Sequence, residues 1–124
     1  MGLKSKLQNK KAFTLIELIV VIAIVAVLAA VGIPAVAGQV TKSQKATADT
    51  NSKLVAQQVE KMIIDNEAAG TPSIPLQTAV AAACGVDNAS ITKYEILGDA
   101  TNGYYVDEIN VKVGNQTGKW TKIP

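Results

Sequence analysis

The 124-residue chain contains no histidine, a single cysteine and only five aromatic residues, and each scarcity removes a class of protein. Without histidine there is no imidazole to serve as a general base or as a metal ligand near neutral pH. Cys84 has no second cysteine to pair with and no cluster to bind zinc. Following three alanines, it reads as a small buried apolar residue, with an exposed thiol or a bridge between copies as the other readings. There is no glycine-rich phosphate loop and no Gly-x-Ser-x-Gly. Asp107 and Glu108 are neighbours on a predicted strand and so point to opposite faces. The chain reads as a non-enzyme that needs no cofactor and no metal. Phe13, Tyr94, Tyr104, Tyr105 and Trp120 are too scattered to form a binding stripe and read as core and rim. Asn88 and Asn115 each begin an Asn-x-Ser/Thr triplet, a pattern short enough to arise by chance.

What the chain does have is a long apolar run. From Leu18 to Thr41 there are 24 residues without a charge, too many for a soluble core of this size. As an α-helix the run extends roughly 36 Å, which crosses a hydrocarbon layer of about 30 Å with some tilt. Lys4, Lys6, Lys10 and Lys11 precede it with no acid among them, whereas the far flank mixes signs, so the N-terminus is expected in the cytoplasm and the bulk of the chain outside. The formal charge of +2 comes from that basic start: beyond residue 12 there are eight lysines against ten acids, −2. No basic surface is left to suggest a nucleic-acid site.

A secretory signal peptide has an apolar stretch of only about 7–15 residues, followed by a small-residue cleavage site. Here the run is longer, and Ala35–Gly38 offers such a site at its far end. Ala12 is a second small-residue site, placed before the run. A cut there would remove the lysines and keep the apolar helix. The run also carries a carboxylate near its start, Glu17, which costs about 2.5–3.5 kcal/mol in apolar surroundings unless a cation meets it.

The stretch Lys10–Pro34, "KKAFTLIELIVVIAIVAVLAAVGIP", resembles the N-terminal signature of type IV pilins and pseudopilins: a short basic leader, a cut before Phe, Thr-Leu-Ile-Glu-Leu, and an apolar helix interrupted by Gly and Pro. The likeness covers about the first 45 residues. The residue before the cut is usually Gly in that family and is Ala12 here. The resemblance implies cleavage between Ala12 and Phe13 and N-methylation of Phe13 by a prepilin peptidase/methyltransferase. It also implies a homo-oligomeric helical filament, with an assembly ATPase and a platform protein as partners. The new α-amino group, with an ordinary pKa of about 7.7–8.0, is mostly protonated at neutral pH. By family precedent Glu17 neutralises that amine on a neighbouring subunit and so sets axial register. A buried polar group that fixes register is the best-attested use of such a feature. A lone Glu snorkelling to the headgroups is the alternative from the residues alone. Pro34 lacks an amide hydrogen and clashes with the carbonyl four residues back, and Gly32 adds looseness, so a kink or local unwinding is expected there.

After Gly38 the pattern is amphipathic. Val36, Val40, Thr47, Leu54, Val55, Val59, Met62 and Ile63 recur at helical spacing, while Lys45, Asp49 and Lys53 alternate in sign on another face. The helix is expected to run to about Ala69, so its first half must protrude from any domain of this size. Gly70–Pro75 ends it. "LQTAVAAACGV" reads as a short helix or a loop, with its alanines favouring helix. "SITKYEIL", "GYYVDEINVKV" and "GKWTKI" read as three strands, joined by loops rich in Gly and Asn. In the second strand, Tyr105, Asp107, Ile109, Val111 and Val113 are set on one face against Tyr104, Val106, Glu108, Asn110 and Lys112.

The expected architecture is α+β: a long N-terminal helix, membrane-spanning and then amphipathic, packed on a small antiparallel sheet of about three strands. Four segments follow: a removed leader 1–12, an apolar transmembrane and polymerisation helix 13–38, an amphipathic continuation 39–69 and a small head 70–124. Leu54, Val55, Val59, Met62 and Ile63 are expected under the sheet. The expected function is that of a type IV pilus subunit, held in the cytoplasmic membrane before assembly and in an extracellular filament afterwards. A pseudopilin of a type II secretion or DNA-uptake apparatus is the alternative reading.

Overall fold

The computed structural model describes residues 12–123; the leader lysines lie outside the described residues. Secondary structure follows the order α1 (Leu15–Ala68), α2 (Gln77–Cys84), a 3-10 turn (Asn88–Ser90), β1 (Ile91–Asp99), β2 (Gly103–Val113) and β3 (Gln116–Thr121). The chain divides into two compact units, Met1–Ala37 and Gly38–Pro124.

In the first unit, α1 begins after Thr14 and runs through Gly32 and Pro34 without a break. The helix continues across Pro34, the position at which a kink or local unwinding is expected from the sequence. What proline removes there is one donor, the amide that would otherwise bond to the Ala30 carbonyl. A helix has room to accommodate one such loss, since neighbouring turns keep their own bonds.

In the second unit, α1 packs on the three-stranded antiparallel sheet, ordered β1-β2-β3. Its buried positions are Ala48, Ser52, Val55, Ala56, Val59 and Ile63. Those spacings of three and four make a single stripe along the helix. α1 closes on Gly70, whose φ of 74° is left-handed. There the Thr71 amide bonds back to the Asn66 carbonyl and the Gly70 amide to that of Glu67, both at 3.0 Å, which satisfies two of the helix's orphan carbonyls.

The facing core comprises Val80 and Ala81 of α2, Ile91 of β1, and Val106, Ile109 and Val111 of β2, with Tyr94, Ile96, Tyr104 and Trp120 packed around it. Burying side chains of this size contributes about 1.5–3 kcal/mol each for the larger ones. α2, a helix as its alanines favour, covers one end of this core through Val80 and Ala81.

Two expectations from the sequence are corrected here. Leu54 is 47% exposed rather than under the sheet, while Val55, Val59 and Ile63 are buried as expected and are joined by the small residues Ala48, Ser52 and Ala56. The reason is closeness: a β-carbon added at Gly118 of β3 would fall inside the backbone of Ala48 and Asp49, so strand and helix approach without a side chain between them. The face pattern of β2 also differs. Glu95 pairs with Glu108 but Ile96 pairs with Val106, so Asp107 is an extra residue, a β-bulge. The bulge flips the alternation, bringing Val106 and Tyr104 to the same face as Ile109 and Val111 and leaving Glu108 and Asn110 on the outer face. The Asp107 carbonyl at the bulge accepts the Lys122 amide at 3.1 Å.

Candidate processing and assembly site

The first turn of α1 is built by Thr14 and Glu17. The Thr14 amide donates to Glu17 Oε2 at 2.8 Å, the Thr14 hydroxyl donates to the same oxygen at 3.2 Å, and the Glu17 amide donates to Thr14 Oγ1 at 3.3 Å. The Thr14 carbonyl accepts the first helical bond, from the Leu18 amide at 3.2 Å. This is a capping box: Thr14 is the N-cap, Glu17 the third helical residue, and each answers the other's backbone donor. The carboxylate also lies at the positive end of the helix dipole, where negative charge is favoured.

Glu17 therefore has partners within its own chain. The sequence reading sought a cation for it and missed Thr14, although Ser/Thr-x-x-Glu ahead of an apolar run is a recognisable helix start. Ala12 and Phe13 precede the helix and lie outside regular secondary structure, both exposed, Phe13 at 89%. Phe13, Ile16, Val20 and Val21 line a shallow apolar hollow beside Glu17. The structure thus places Ala12, Phe13 and Glu17 within two turns of one another, with Gly32 and Pro34 further along the same helix.

Every residue from Ala12 to Val40 is exposed, including Leu15, Ile16, Leu18, Ile22, Leu28 and Val31. An uninterrupted apolar surface of this length needs a non-aqueous partner. By length and composition, α1 is able to cross a membrane.

The outer face of the sheet carries a second polar cluster. Glu108, whose side chain is 14% exposed, is met by Lys119 at 2.9 Å and Lys93 at 3.3 Å, and Lys93 also meets Glu95 at 2.8 Å. Asn110 Nδ2 donates to Glu108 Oε1 at 2.9 Å. The hydrogen bond from Lys119, with those from Asn110 and Lys93, holds the Glu108 carboxyl below its usual range, while its bonds to Glu95 and Glu108 raise Lys93. Glu95 and Glu108 are directly opposed across β1 and β2; Lys93 bridges two carboxylates that would otherwise repel. The cluster fastens the three strands together. Among the described residues no three His, Cys, Asp or Glu side chains gather as a metal site would require.

Cys84 is half-buried, with its thiol 3.8 Å from the Leu54 carbonyl, and burial raises the thiol pKa.

Residues 7–33 match the family described as the prokaryotic N-terminal methylation motif. That motif is the leader signature of type IV pilins and pseudopilins, and this chain carries it at its N-terminus ahead of an apolar helix and an α+β head. No curated protein and no solved structure matches the chain.

Proposed function

We propose that the chain is the precursor of a type IV pilus subunit, cut between Ala12 and Phe13, methylated on the Phe13 amine and polymerised through the helix from Phe13 onward. The observation that carries this reading is the coincidence of the methylation motif with a bare apolar helix whose one carboxylate, Glu17, sits a single turn from the cut.

Cleavage turns the Phe13 nitrogen into a cation. When helices pack together and exclude water, a neighbour's amine meets Glu17, and each charge offsets the other's desolvation. Burial of the apolar surface among copies supplies cohesion, and the charge pair selects one axial offset. A contact that joins unlike patches on successive copies grows a filament when its rotation, combined with an axial offset, does not close a ring. A prepilin peptidase, an assembly ATPase and a platform protein are the partners this route requires, and the cytoplasmic membrane holds the subunit until it is extracted.

The test is to shear filaments from cells expressing the chain and to determine the mass of the subunit's N-terminal peptide. Long surface filaments whose subunit begins at methylated Phe13 support the proposal. A processed subunit confined to the envelope, without long filaments, moves the assignment to a pseudopilin. A subunit that still begins at Met1 or Gly2 overturns the processing mechanism.

A further inference from the structure

We infer that Thr14 is a positioning residue for the cut itself: its cap starts the helix at Leu15 and so keeps the Ala12–Phe13 peptide bond out of the helix. The inference rests on the processing reading above. Hydrolysis adds water across that bond, leaving a carboxylate on Ala12 and an ammonium on Phe13, and the attacking water must reach the Ala12 carbonyl carbon. Within a helix that carbonyl is hydrogen-bonded along the axis and flanked by side chains, so a helical scissile bond has to unwind before it enters a peptidase.

Three observations place the boundary at Thr14. The helical hydrogen bonds begin with the Leu18 amide on the Thr14 carbonyl. Both arms of the capping box close on Thr14. Ala12 and Phe13 are exposed and non-helical. Nothing in the residue at the cut would stop the helix, since alanine is the strongest helix former of the twenty. With Ala12 on its far side, the cap is what keeps the junction out of the helix. An N-cap does this because its own backbone is in the β region and its side chain occupies donors that a preceding turn would otherwise use.

The experiment follows cleavage of the full-length precursor in membrane vesicles containing a prepilin peptidase, with mass spectrometry of the Phe13-initiated product. Thr14→Ala should slow cleavage by at most about fivefold, the full shift in the helical equilibrium from losing a cap of ordinary strength, and Thr14→Ser should cleave near the wild-type rate. In an Ala12→Gly background, where glycine already disfavours helix, Thr14→Ala should have little further effect. Equal rates for Thr14→Ala and wild type would overturn the inference. So would equal slowing in both backgrounds, which would make Thr14 a side chain the peptidase reads directly. An uncut wild-type chain would instead overturn the processing reading on which all of this stands.

Discussion

The Ser52 hydroxyl joins α1 to β2: it accepts the Val111 amide at 3.1 Å and donates to the Ala48 carbonyl at 3.0 Å, and both bonds are fully buried. Val111 lies where the pairing of β1 slips by one residue, Ile91 opposite Val111 and Lys93 opposite Asn110. At this slip the helix supplies an acceptor for the strand amide. Ser52→Ala removes this buried bond, a loss of about 0.5–1.5 kcal/mol. Denaturant unfolding of the full chain in detergent should show it as a lower midpoint with an unchanged slope. An unchanged midpoint would mean that the amide finds another acceptor.

Gly118 admits no side chain, because α1 at Ala48 and Asp49 occupies the space a β-carbon needs, and the obstruction is backbone rather than a movable side-chain end. Gly118→Ala must therefore push β3 away from the helix. The neighbouring bond from Lys45 Nζ to the Thr117 carbonyl, 3.0 Å, would break with it. Overpacking of this kind costs about 1–3 kcal/mol where side chains can yield, and more where only backbone can move. Loss of cooperative unfolding, or a drop at least as large as that of Ser52→Ala, is the expected result of the same measurement. A variant as stable as wild type would show that strand and helix are not in contact here.

These two contacts also show where the sequence was legible and where it was not. Period and propensity found α1 to within a residue of its end, the helical reading of residues 77–84 and all three strands, because each is written in local pattern: apolar spacing, Gly70 with two following prolines, and β-branched runs between Gly-rich turns. The large residues of the helix–sheet seam, Val55, Val59 and Ile63, were legible, and its small ones were not. The closest part involves Ala48, Ser52, Ala56 and Gly118, residues whose value is their smallness, whereas a search for large apolar side chains added Leu54. The bulge at Asp107 was hidden for a related reason: unbroken alternation is the default for a strand, and one extra residue is seen only against its partner strand. At the N-terminus the charge of Glu17 drew the reading towards a distant cation, although its nearest partner was Thr14, three residues away.

Acid should loosen the head and moderate alkali should not. Glu108, Asp49 and Asp99 are held below their ordinary carboxylate values, Glu108 first by Lys119, Asp49 first by Lys45 and Asp99 first by Asn102. A depressed carboxylate contributes stability that is present above its unfolded value and lost as pH falls through its folded value, here the region below about pH 4.5 for Glu108 and 3.8 for the aspartates. Lys93 is raised above 10.5, so its contribution is complete below that pH and fades only as pH climbs beyond it. Melting temperature against pH should therefore be flat between the carboxylate range and about pH 9.0, where the raised thiol of Cys84 begins to cost stability, and fall at both ends, modestly for the solvated Lys45–Asp49 pair and more for Glu108, whose side chain is 14% exposed. Glu108→Gln should lower the plateau and flatten the acid limb. An acid limb as steep in that variant as in wild type would remove Glu108 from the account.

Glu17 holds two roles that one substitution separates. As the third residue of a capping box it is replaceable by glutamine, which reaches back to the N-cap amide nearly as well. As the partner of a neighbour's Phe13 amine it is not, because the pair depends on opposite charge. Glu17→Gln should therefore leave the helix start and the cleavage rate near wild type, yet abolish or disorder filament assembly, as Glu17→Val should. The two readouts come from one preparation: the mass of the N-terminal peptide reports cleavage, and electron microscopy of the sheared material reports assembly. Normal filaments from Glu17→Gln together with none from Glu17→Val would assign Glu17 to the cap alone, and the neighbour's amine would then need no carboxylate. Normal filaments from both would show that apolar burial suffices for assembly and that neither the charge nor the cap sets register.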